Sequence, residues 1–348
     1  MKRIEAADRK KWRAWCLLFL LGAVTLFCFG KAVCYAEILK MQASKLNFAA
    51  HGRQGALDYA GARSAQEENQ KQDHPLEYVN WTQTDGVQVS ASGLGTMVES
   101  NALLLCGRSD LLFPGYAVLD TGAEYGCLLS SALSGRLFGG EDTRGLIVEV
   151  QDRKLEVLDV IDSEEIFLAY EAGEEDPCSF DRAAVSCVSG EISKTEERYQ
   201  QICGGWERLE GRVLVWIAEG ACFLLPCILW IFLMCYCAEM SRAAGRMERA
   251  GRIEKIIWKA LLYLLLAGGI LLLIRNARIP EDMIPAKWSD FDFWTEYGKE
   301  LGASCQALIR SEKKIPDIPM MKAFVKALQW AVAAVVGEIV FLRRFRKI

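Results

Sequence analysis

The sequence predicts an α-helical membrane protein with four transmembrane helices and a mixed α+β extracytoplasmic domain inserted between helices 1 and 2. Three observations lead to this fold class. Apolar residues make up 52% of the 348 positions, and they are concentrated in four long runs. Basic residues cluster beside those runs. The segment between the first two runs shows instead the short alternating patterns of strands, with a few helices.

Each of the four runs is long enough to cross the hydrocarbon layer, which is roughly 30 Å thick. The first has no charge from Trp15 to Gly30, and the second has none from Gly220 to Ala238. The third has one charge near its start, Lys259, whose long side chain can reach the interface. The fourth carries Lys326 and Glu338, each within two turns of an end. The predicted spans are residues 15–36, 213–238, 256–274 and 321–342.

Charge placement predicts the orientation. The first thirteen residues hold six basic and two acidic side chains, residues 239–255 hold five basic and three acidic ones, and the last six hold four basic and no acidic ones. Residues 31–212 carry a net charge of −14. Because basic segments stay in the cytoplasm, both termini are expected there. The predicted inside segments are 1–14, 239–255 and 343–348, and the predicted outside segments are 37–212 and 275–320.

A cleaved signal peptide is the alternative interpretation of the first run. The basic N-terminus fits it, and Cys34-Tyr35-Ala36 is a tolerable cleavage site. The apolar stretch is longer than the usual core of a signal peptide, however. We therefore expect an uncleaved membrane anchor.

Composition argues against several classes of function. With two histidines in the chain, a His-rich metal site or a His-centred catalytic site is nearly excluded, and we expect no metal and no other cofactor. A net charge of −4 argues against a nucleic-acid partner, and no GxxxxGK[ST] motif for ATP is present. We expect no enzymatic activity in this chain.

Cys178 and Cys187 could bridge a loop, and free buried thiols are an equal alternative.

The inserted segment is predicted to be one mixed α+β unit. A helix is expected over Ala36–Ala49, followed by a loop over His51–His74. Ser130 or Ser131 can cap a short helix that Gly139-Gly140 ends. Alternating apolar residues on both sides of residues 151–154 predict a hairpin. Further strands are expected at residues 87–89, 103–106, 125–129 and 166–170, and a further helix at Ile192–Ile202.

One part of this segment has a recognisable order of motifs. A strand ends in Ser130, a helix ends in Leu137-Phe138-Gly139, and an acidic turn, Gly145 and the hairpin follow. Over residues 110–160 this order resembles the periplasmic core domain of MacB-like ABC permeases. Two departures are Leu146, where the family has a Lys, and Leu158-Asp159-Val160, where it has Val-Gly-Val. Ser130, Leu137, Phe138, Gly139 and Gly145 are then implied to be structural residues.

The resemblance implies the transmembrane permease subunit of a MacB/FtsX-like ABC transporter in the plasma membrane of a bacterium. Such a subunit sits in the lipid bilayer and dimerises with an identical or a different permease subunit. It couples a separate ABC ATPase to movement of the extracytoplasmic domain, for export or for mechanotransmission.

The inside segment 239–255 is the predicted contact with that ATPase. Arg242, Arg246 and Arg249 are spaced to lie on one face of a helix, whereas Met240, Ala244 and Met247 lie on another. The resemblance implies that this separate coupling helix docks through Arg242, Arg246, Met247 and Arg249. The alternative is attraction of the arginines to anionic lipid headgroups, which requires no partner.

Two other functions stay open. Asp120-Thr121-Gly122-Ala123 matches the short signature of an aspartic protease, in which two such aspartates activate a water, although the chain has a single copy. The chain could also be a membrane sensor or scaffold that works without an ATPase.

In the outer loop 275–320, aromatic residues crowd between Trp288 and Tyr297, which predicts an interfacial helix or lid.

Overall fold

The computed structural model describes residues 2–50, 55–119, 125–140, 142–176, 178–187, 191–245, 251–276 and 291–347. The helices are α1 Lys2–Gln42, α2 Tyr59–Gln70, α3 Ser131–Phe138, α4 Ile192–Cys203, α5 Arg212–Ala244, α6 Gly251–Asn276, α7 Phe291–Arg310 and α8 Ile318–Phe345. The strands are β1 Leu46–Ala49, β2 Leu57–Asp58, β3 Tyr78–Ala91, β4 Met97–Gly107, β5 Gly126–Ser130, β6 Ile147–Val150, β7 Arg153–Ile161, β8 Phe167–Glu171, β9 Ser179–Phe180, β10 Arg182–Val185 and β11 Glu207–Leu209.

These elements form two compact units. The helical unit contains α1, α5, α6 and α8. The mixed domain runs from Gln42 to Gly211 and also includes residues 291–319, which come from the second predicted outer segment. The mixed domain is therefore built from two separate stretches of the chain, whereas the sequence predicted only the first of them.

Among the described residues, three helices are long and apolar enough to cross a membrane: Trp12–Gln42, Arg212–Ala244 and Ile315–Phe345. They coincide with the first, second and fourth predicted spans. The third predicted span forms the helix α6, whose described part carries Glu254, Lys255 and Lys259, and it is not one of these three. A total of four spans stays a prediction.

Small residues bring the helices of the helical unit close together. Alanines at positions 323, 327, 331 and 334 form much of the buried face of α8. A Cβ added at Gly337 would lie 2.6 Å from Thr25 Oγ1 of α1, and one added at Gly269 of α6 would lie 2.2 Å from the Trp230 ring of α5. Close approach of this kind stabilises helix pairs in a membrane, where lipid removes most of the hydrophobic drive for association.

A nine-stranded sheet organises the mixed domain, in the order β11-β1-β10-β3-β4-β8-β5-β7-β6. Strand β4 pairs with one edge of the long strand β3. On the other edge, the first residues of β3 pair with β10 and its last residues pair with β6. Strands β3, β4, β8, β5, β7 and β6 thus form a closed ring of pairings. A bulge between Thr84 and Val87 bends β3, and Gly86 there has the positive φ of 74° that glycine adopts without strain.

Apolar side chains cover both faces of the sheet. Helices α2, α3 and α4 cover one face, where Leu133, Tyr170 and Tyr199 are buried in a single cluster. The other face buries Trp81 and Phe167 together with residues from two later segments, 111–119 and 315–318. Burial on both faces explains why many of the strands read as continuous apolar runs.

The predicted helix and hairpin after β5 are confirmed. Ser130 is the N-cap of α3, and its Oγ accepts a hydrogen bond from Leu133 N at 3.2 Å. Gly139 ends the helix with a φ of 77°. Strands β6 and β7 pair as the predicted hairpin, and Gln151 and Asp152 both have positive φ in the turn between them, as a two-residue hairpin turn requires.

Two predictions near the start of the domain are wrong. The helix expected over Ala36–Ala49 ends at Gln42, and β1 follows from Leu46. The loop expected over His51–His74 contains α2, whose N-cap Asp58 accepts a hydrogen bond from Gly61 N. The helix was missed because its buried face is made of Ala62, Ala65 and two amide side chains, Gln66 and Asn69, rather than large apolar residues.

The coupling helix predicted over residues 239–255 is described only at its two ends and stays a prediction. Residues 239–244 are the last turns of α5, and residues 251–255 are the first turns of α6. Amphipathic spacing is the same in a separate helix and in the cytoplasmic end of a longer one, so the pattern could not distinguish them. Residues 246–250 lie outside the described residues.

Candidate coupling sites

Short junctions join the mixed domain to the predicted spans. Three residues, 43–45, separate the end of α1 from β1, and two residues, 210–211, separate β11 from the start of α5. Strands β1 and β11 are paired antiparallel, with Asn47 opposite Leu209. The chain therefore enters and leaves this part of the domain through two adjacent strands.

Charged side chains form ion pairs beside the second of these junctions. Arg208 of β11 donates from Nη1 to Glu196 Oε2 of α4 at 2.5 Å and from Nη2 to Glu210 Oε2 at 2.8 Å. Glu210 is buried, and it is the residue directly after β11. An ion pair of this kind is costly to break from one side, because a buried charge is left without its partner. The side chains thus fix the last residues before α5 to α4.

Lys45 lies at the first junction and is held in a similar way. Its Nζ donates to the carbonyl of Leu111 at 2.8 Å. Burial lowers the pKa of Lys45 to about 8, although the charge of Asp317 acts in the opposite direction. The residue just before β1 is therefore tied to the loop that follows β4, and its charge is near Asp317 of the second outer segment.

A third connection lies at residues 311–318, which we call the clamp. Lys314 Nζ donates to both carboxylate oxygens of Asp181, at 2.7 and 2.6 Å, and lies 5.6 Å from the centre of the Trp81 ring. The side chain of Lys314 is only 10% exposed. Asp181 directly precedes β10, so this ion pair joins the clamp to a strand in the first half of the sheet.

Arg182, the first residue of β10, makes a second set of contacts with the clamp. Its Nη2 donates to the carbonyl of Glu312 at 2.6 Å, and its Nη1 lies 3.9 Å from Asp317 Oδ2. The arginine side chain is 5% exposed and that of Asp317 is 12% exposed. Asp317 in turn accepts a hydrogen bond from Lys314 N, which closes the short turn from Ile315 to Asp317.

Apolar burial and one backbone hydrogen bond complete the clamp. Ile315 is buried with Val79 and Trp81 in the second core cluster, and Ile318 packs against the same cluster. Ile315 N donates to the side chain of Gln83 at 2.9 Å. Helix α8 begins at Ile318, so the clamp continues directly into the last predicted span. Partners some 130 or more positions apart in sequence gave no local pattern from which this site could be predicted.

The structure places one of the four predicted docking residues. Arg242 is exposed in the last turn of α5. Arg246, Met247 and Arg249 lie outside the described residues. A shared docking face with Arg242 therefore stays a prediction. In the neighbouring part of the helical unit, Arg346 of α8 pairs with Glu239 of α5.

The five motif residues all lie around α3 and the hairpin. Besides capping α3, Ser130 Oγ accepts a hydrogen bond from Phe167 N of β8 at 3.1 Å. Leu137 is buried in the core and Phe138 packs against it. Gly139 and Gly145 both have positive φ, and Gly145 N donates to the carbonyl of Val157 in β7. The structure gives each of these residues a local contact within the mixed domain.

Asp159 is one of the two departures from the MacB-like pattern. Burial acts to raise its pKa, but hydrogen bonds from the backbone N–H groups of Val160 and Ala117 and from Arg144 together hold that pKa below its usual value. Arg144 Nη2 lies 2.6 Å from Asp159 Oδ1. The aspartate thus ties β7 to the segment before residue 120 and to the turn before β6.

The remaining sequence candidates are placed only in part. Asp120 and the residues that follow it to 124 lie outside the described residues. Cys178 and Cys187 are both partly buried and form no disulfide. Among the residues that the structure describes, no group of three or more His, Cys, Asp or Glu side chains could hold a metal ion.

The aromatic part of the outer loop forms α7 from Phe291 onward, and α7 packs against β11. Trp288 lies outside the described residues.

Comparisons with known proteins give partial similarity at the level of structure. No protein-family model matches the chain. No curated protein is significantly similar to it. It is similar to the periplasmic region of MacB from Actinobacillus actinomycetemcomitans, with 12% identity, 51% of this chain and 92% of that chain covered, and a TM-score of 0.37. It is also similar to the extracellular domain of the noncanonic ABC-type transporter YknZ from Gram-positive bacteria. The identity is 11%, the match covers 43% of this chain and 87% of that chain, and the TM-score is 0.30. At these TM-scores the similarity alone assigns no function to the chain.

Proposed function

We propose that the chain is the transmembrane permease subunit of a MacB/FtsX-like ABC transporter. It couples a separate ATPase to movement of the mixed domain, which lies outside the cell membrane, and both of its termini lie in the cytoplasm. The chain itself hydrolyses no nucleotide. It acts as a dimer with a second permease subunit, identical or different, and α6 is its third span.

The observation that carries this proposal is the short connection in sequence between the mixed domain and two of the predicted spans. Work done on one side of a membrane reaches a domain on the other side only if the connections are stiff. Three residues follow α1 before β1 and two follow β11 before α5, and Lys45, Arg208 and Glu210 tie these short segments to the mixed domain. A domain that only binds a ligand can be tethered by a flexible linker of any length.

The motif order between Ser130 and Gly145 supports the same proposal. The charge asymmetry also supports it, because basic segments flank the spans on the side where a cytoplasmic ATPase would bind. Arg242, Arg246, Met247 and Arg249 are the proposed docking residues. For the ATPase to drive a change of shape, its nucleotide states must bind this region with different free energies.

The test is co-purification with the separate ABC ATPase that this proposal requires. The triple charge reversal Arg242→Glu, Arg246→Glu and Arg249→Glu should abolish co-purification while leaving the amount of folded protein in the membrane unchanged. The matched control reverses three exposed basic residues at the other predicted cytoplasmic end of the same chain, Arg343, Arg344 and Lys347. Equal recovery of the ATPase with wild type and with the first triple variant would refute the docking site.

The protease alternative is tested by the substitution Asp120→Asn. A protease loses its activity when this carboxylate becomes an amide, because the amide cannot share the proton that activates water. The permease proposal expects the variant to retain full function in a cellular assay. Loss of function with normal membrane levels of the protein would favour the protease.

A further inference from the structure

Two buried hydrogen-bond donors lie side by side in the sheet of the mixed domain. Trp81 is 3% exposed and Arg182 is 4% exposed, and among the described residues neither Trp81 Nε1 nor Arg182 Nη1 has a hydrogen-bond partner. The two residues stand directly opposite each other where β3 pairs with β10, so their side chains lie on the same face of the sheet. Buried donors are nearly always paired, because the water that they lose on folding has to be replaced. A bound acceptor would therefore stabilise both groups.

The guanidinium of Arg182 is held by a hydrogen bond at one of its two ends. Its Nη2 donates to the carbonyl of Glu312 at 2.6 Å. Its Nη1 lies 3.9 Å from Asp317 Oδ2, which is beyond hydrogen-bonding distance. Nη1 is thus attracted to this carboxylate without using its N–H groups.

The charges around Arg182 do not balance. The side chain of Lys314 is 10% exposed, and the positive charge of Lys45 interacts with Asp317 from a partly buried position. With Arg182 these are three positive charges, and the carboxylates that accompany them are Asp317 and Asp181. The side chain of Asp181 is 38% exposed, so water screens part of its charge. This group therefore carries a surplus of one positive charge, which a negative charge beside it would stabilise.

Other charged residues nearby are exposed and cancel one another. Lys313 and Arg310 are positive, and Glu207 and Glu312 are negative. Solvent screens charges at the surface, so these four residues leave the surplus around Arg182 in place.

A cavity of about 610 Å³ adjoins this group, and its lining belongs to the mixed domain alone. One wall is the sheet, where Glu207, Ala49 and Arg182 stand opposite one another on β11, β1 and β10. The other wall is one face of α7, formed by Ala303, Gln306, Ala307 and Arg310. Alanines on both walls leave the space between them, and Lys314 is also part of the lining.

From the two unpaired donors, the surplus positive charge and the adjoining cavity, we propose that the mixed domain binds a small univalent anion, such as chloride, between Arg182 and Trp81. The anion accepts hydrogen bonds from Arg182 Nη1 and Trp81 Nε1 and balances the charge, and the cavity is the route by which it enters. A water molecule would satisfy the donors without balancing the charge, and a metal cation would add to the surplus. The site is independent of the proposed transport function.

Chlorine NMR of the full-length protein in nanodiscs of zwitterionic lipid tests this proposal, because the chloride resonance broadens when chloride exchanges with a protein site. We expect Arg182→Gln to weaken chloride binding about tenfold or more, as the loss of a charge-assisted hydrogen bond does. The matched control is Lys299→Met, which removes an exposed positive charge of α7 that is not part of the cavity lining. Broadening equal to that of the wild type in Arg182→Gln would overturn the proposal.

A second variant keeps every charge and fills the space instead. Ala303→Trp places a large ring in the cavity from an exposed position on α7. We expect the broadening to fall to the level of Arg182→Gln. The control is Gly302→Trp at the next position, which does not line the cavity and where an added Cβ would meet no atom within 4 Å. Wild-type broadening in a folded Ala303→Trp variant would contradict the proposed route.

Bromide locates the ion, because its anomalous scattering distinguishes it from water. In crystals of the full-length protein grown in sodium bromide, we expect an anomalous peak in contact with Arg182 Nη1 and Trp81 Nε1, and no such peak in Arg182→Gln. A water molecule at this position in the wild type, without an anomalous peak, would overturn the proposal. These measurements involve no ATPase, so their outcome and that of the co-purification test are independent.

Discussion

At the scale of single residues, the mixed domain depends on a small number of polar side chains that each make several contacts. Ser130 caps a helix and accepts a hydrogen bond from a neighbouring strand, and Asp159 accepts from two backbone N–H groups and an arginine. Lys45 reaches a carbonyl from a buried position. Because such groups have lost water, each contributes stability only while its partners are in place.

Lys45 should make the stability of the mixed domain depend on pH in a defined direction. Its pKa is lowered by burial to about 8, whereas a lysine in the unfolded chain titrates near 10.4. Between these two values the unfolded state binds the proton more tightly, so the contribution of Lys45 to the free energy of unfolding rises with pH. Thermal unfolding of the full-length protein from pH 7 to pH 10.5 measures this effect.

The comparison that isolates Lys45 is the variant Lys45→Met. We expect the wild type to gain stability relative to this variant as the pH rises from about 8 to about 10.5. Other lysines and the tyrosines titrate in both proteins and cancel in the difference. A difference that is independent of pH, or one that falls with pH, would show that burial does not lower the pKa of Lys45.

Ser130→Ala should destabilise the domain by about 1–3 kcal/mol. The substitution leaves Leu133 N and Phe167 N without the acceptor that both share, in a region from which water is excluded. Melting temperature in detergent is the measurement. Ser193→Ala on the exposed side of α4 is the control, and we expect it to change stability by less than about 0.5 kcal/mol. Equal effects of the two substitutions would refute the role of Ser130 as a cap.

At the scale of elements, helix contacts in the helical unit depend on positions where a side chain has no room. Gly337 of α8 faces Thr25 of α1, whose Oγ1 also donates to the carbonyl of Leu21. The hydroxyl cannot move aside without losing that hydrogen bond. Gly269 faces the Trp230 ring, whose Nε1 donates to the carbonyl of Leu265. Both contacts combine a small residue with a neighbour that is held in position.

Gly337→Ala should therefore weaken the pairing of α1 with α8 by about 1–3 kcal/mol, as overpacking of a tight contact does. The control is Gly220→Ala on α5, where a Cβ would meet no atom within 4 Å, and alanine there should be neutral or stabilising because it favours the helix. Adding Thr25→Ala to Gly337→Ala should recover most of the loss. Melting temperature in detergent reports all three, and a stable Gly337→Ala variant would contradict the close contact.

The sequence predicted elements well where the pattern was local. The capped helix α3 and the β6–β7 hairpin follow from residues within a few positions of one another, and three long helices coincide with predicted spans. Helix α2 was missed because its buried face is small and polar. The clamp was missed because Lys314 and Asp181 are far apart in sequence and an isolated Lys or Asp has no characteristic pattern. Long-range ion pairs become visible only when the fold brings the charges together.

At the scale of the whole molecule, near-neutral net charge and intermediate hydropathy are averages over unlike parts. The predicted inside segments are basic, residues 31–212 carry a net charge of −14, and the helical unit is largely apolar. Two short junctions and the clamp connect the mixed domain to α1, α5 and α8. In the proposed transporter, these connections carry the change of shape that ATP binding produces on the cytoplasmic side.

The most direct test of that claim is hydrogen exchange of the chain reconstituted with its ATPase in nanodiscs, compared between the nucleotide-free state and an ATP-bound state that cannot hydrolyse. We predict that exchange changes in the mixed domain at residues 43–45, 210–211 and 311–318. Inserting Gly-Ser-Gly-Ser between Gly211 and Arg212 should reduce the change, whereas the same insertion after exposed Leu94 in the β3–β4 turn should not. Identical exchange of the mixed domain in the two nucleotide states, with the ATPase bound, would contradict the account.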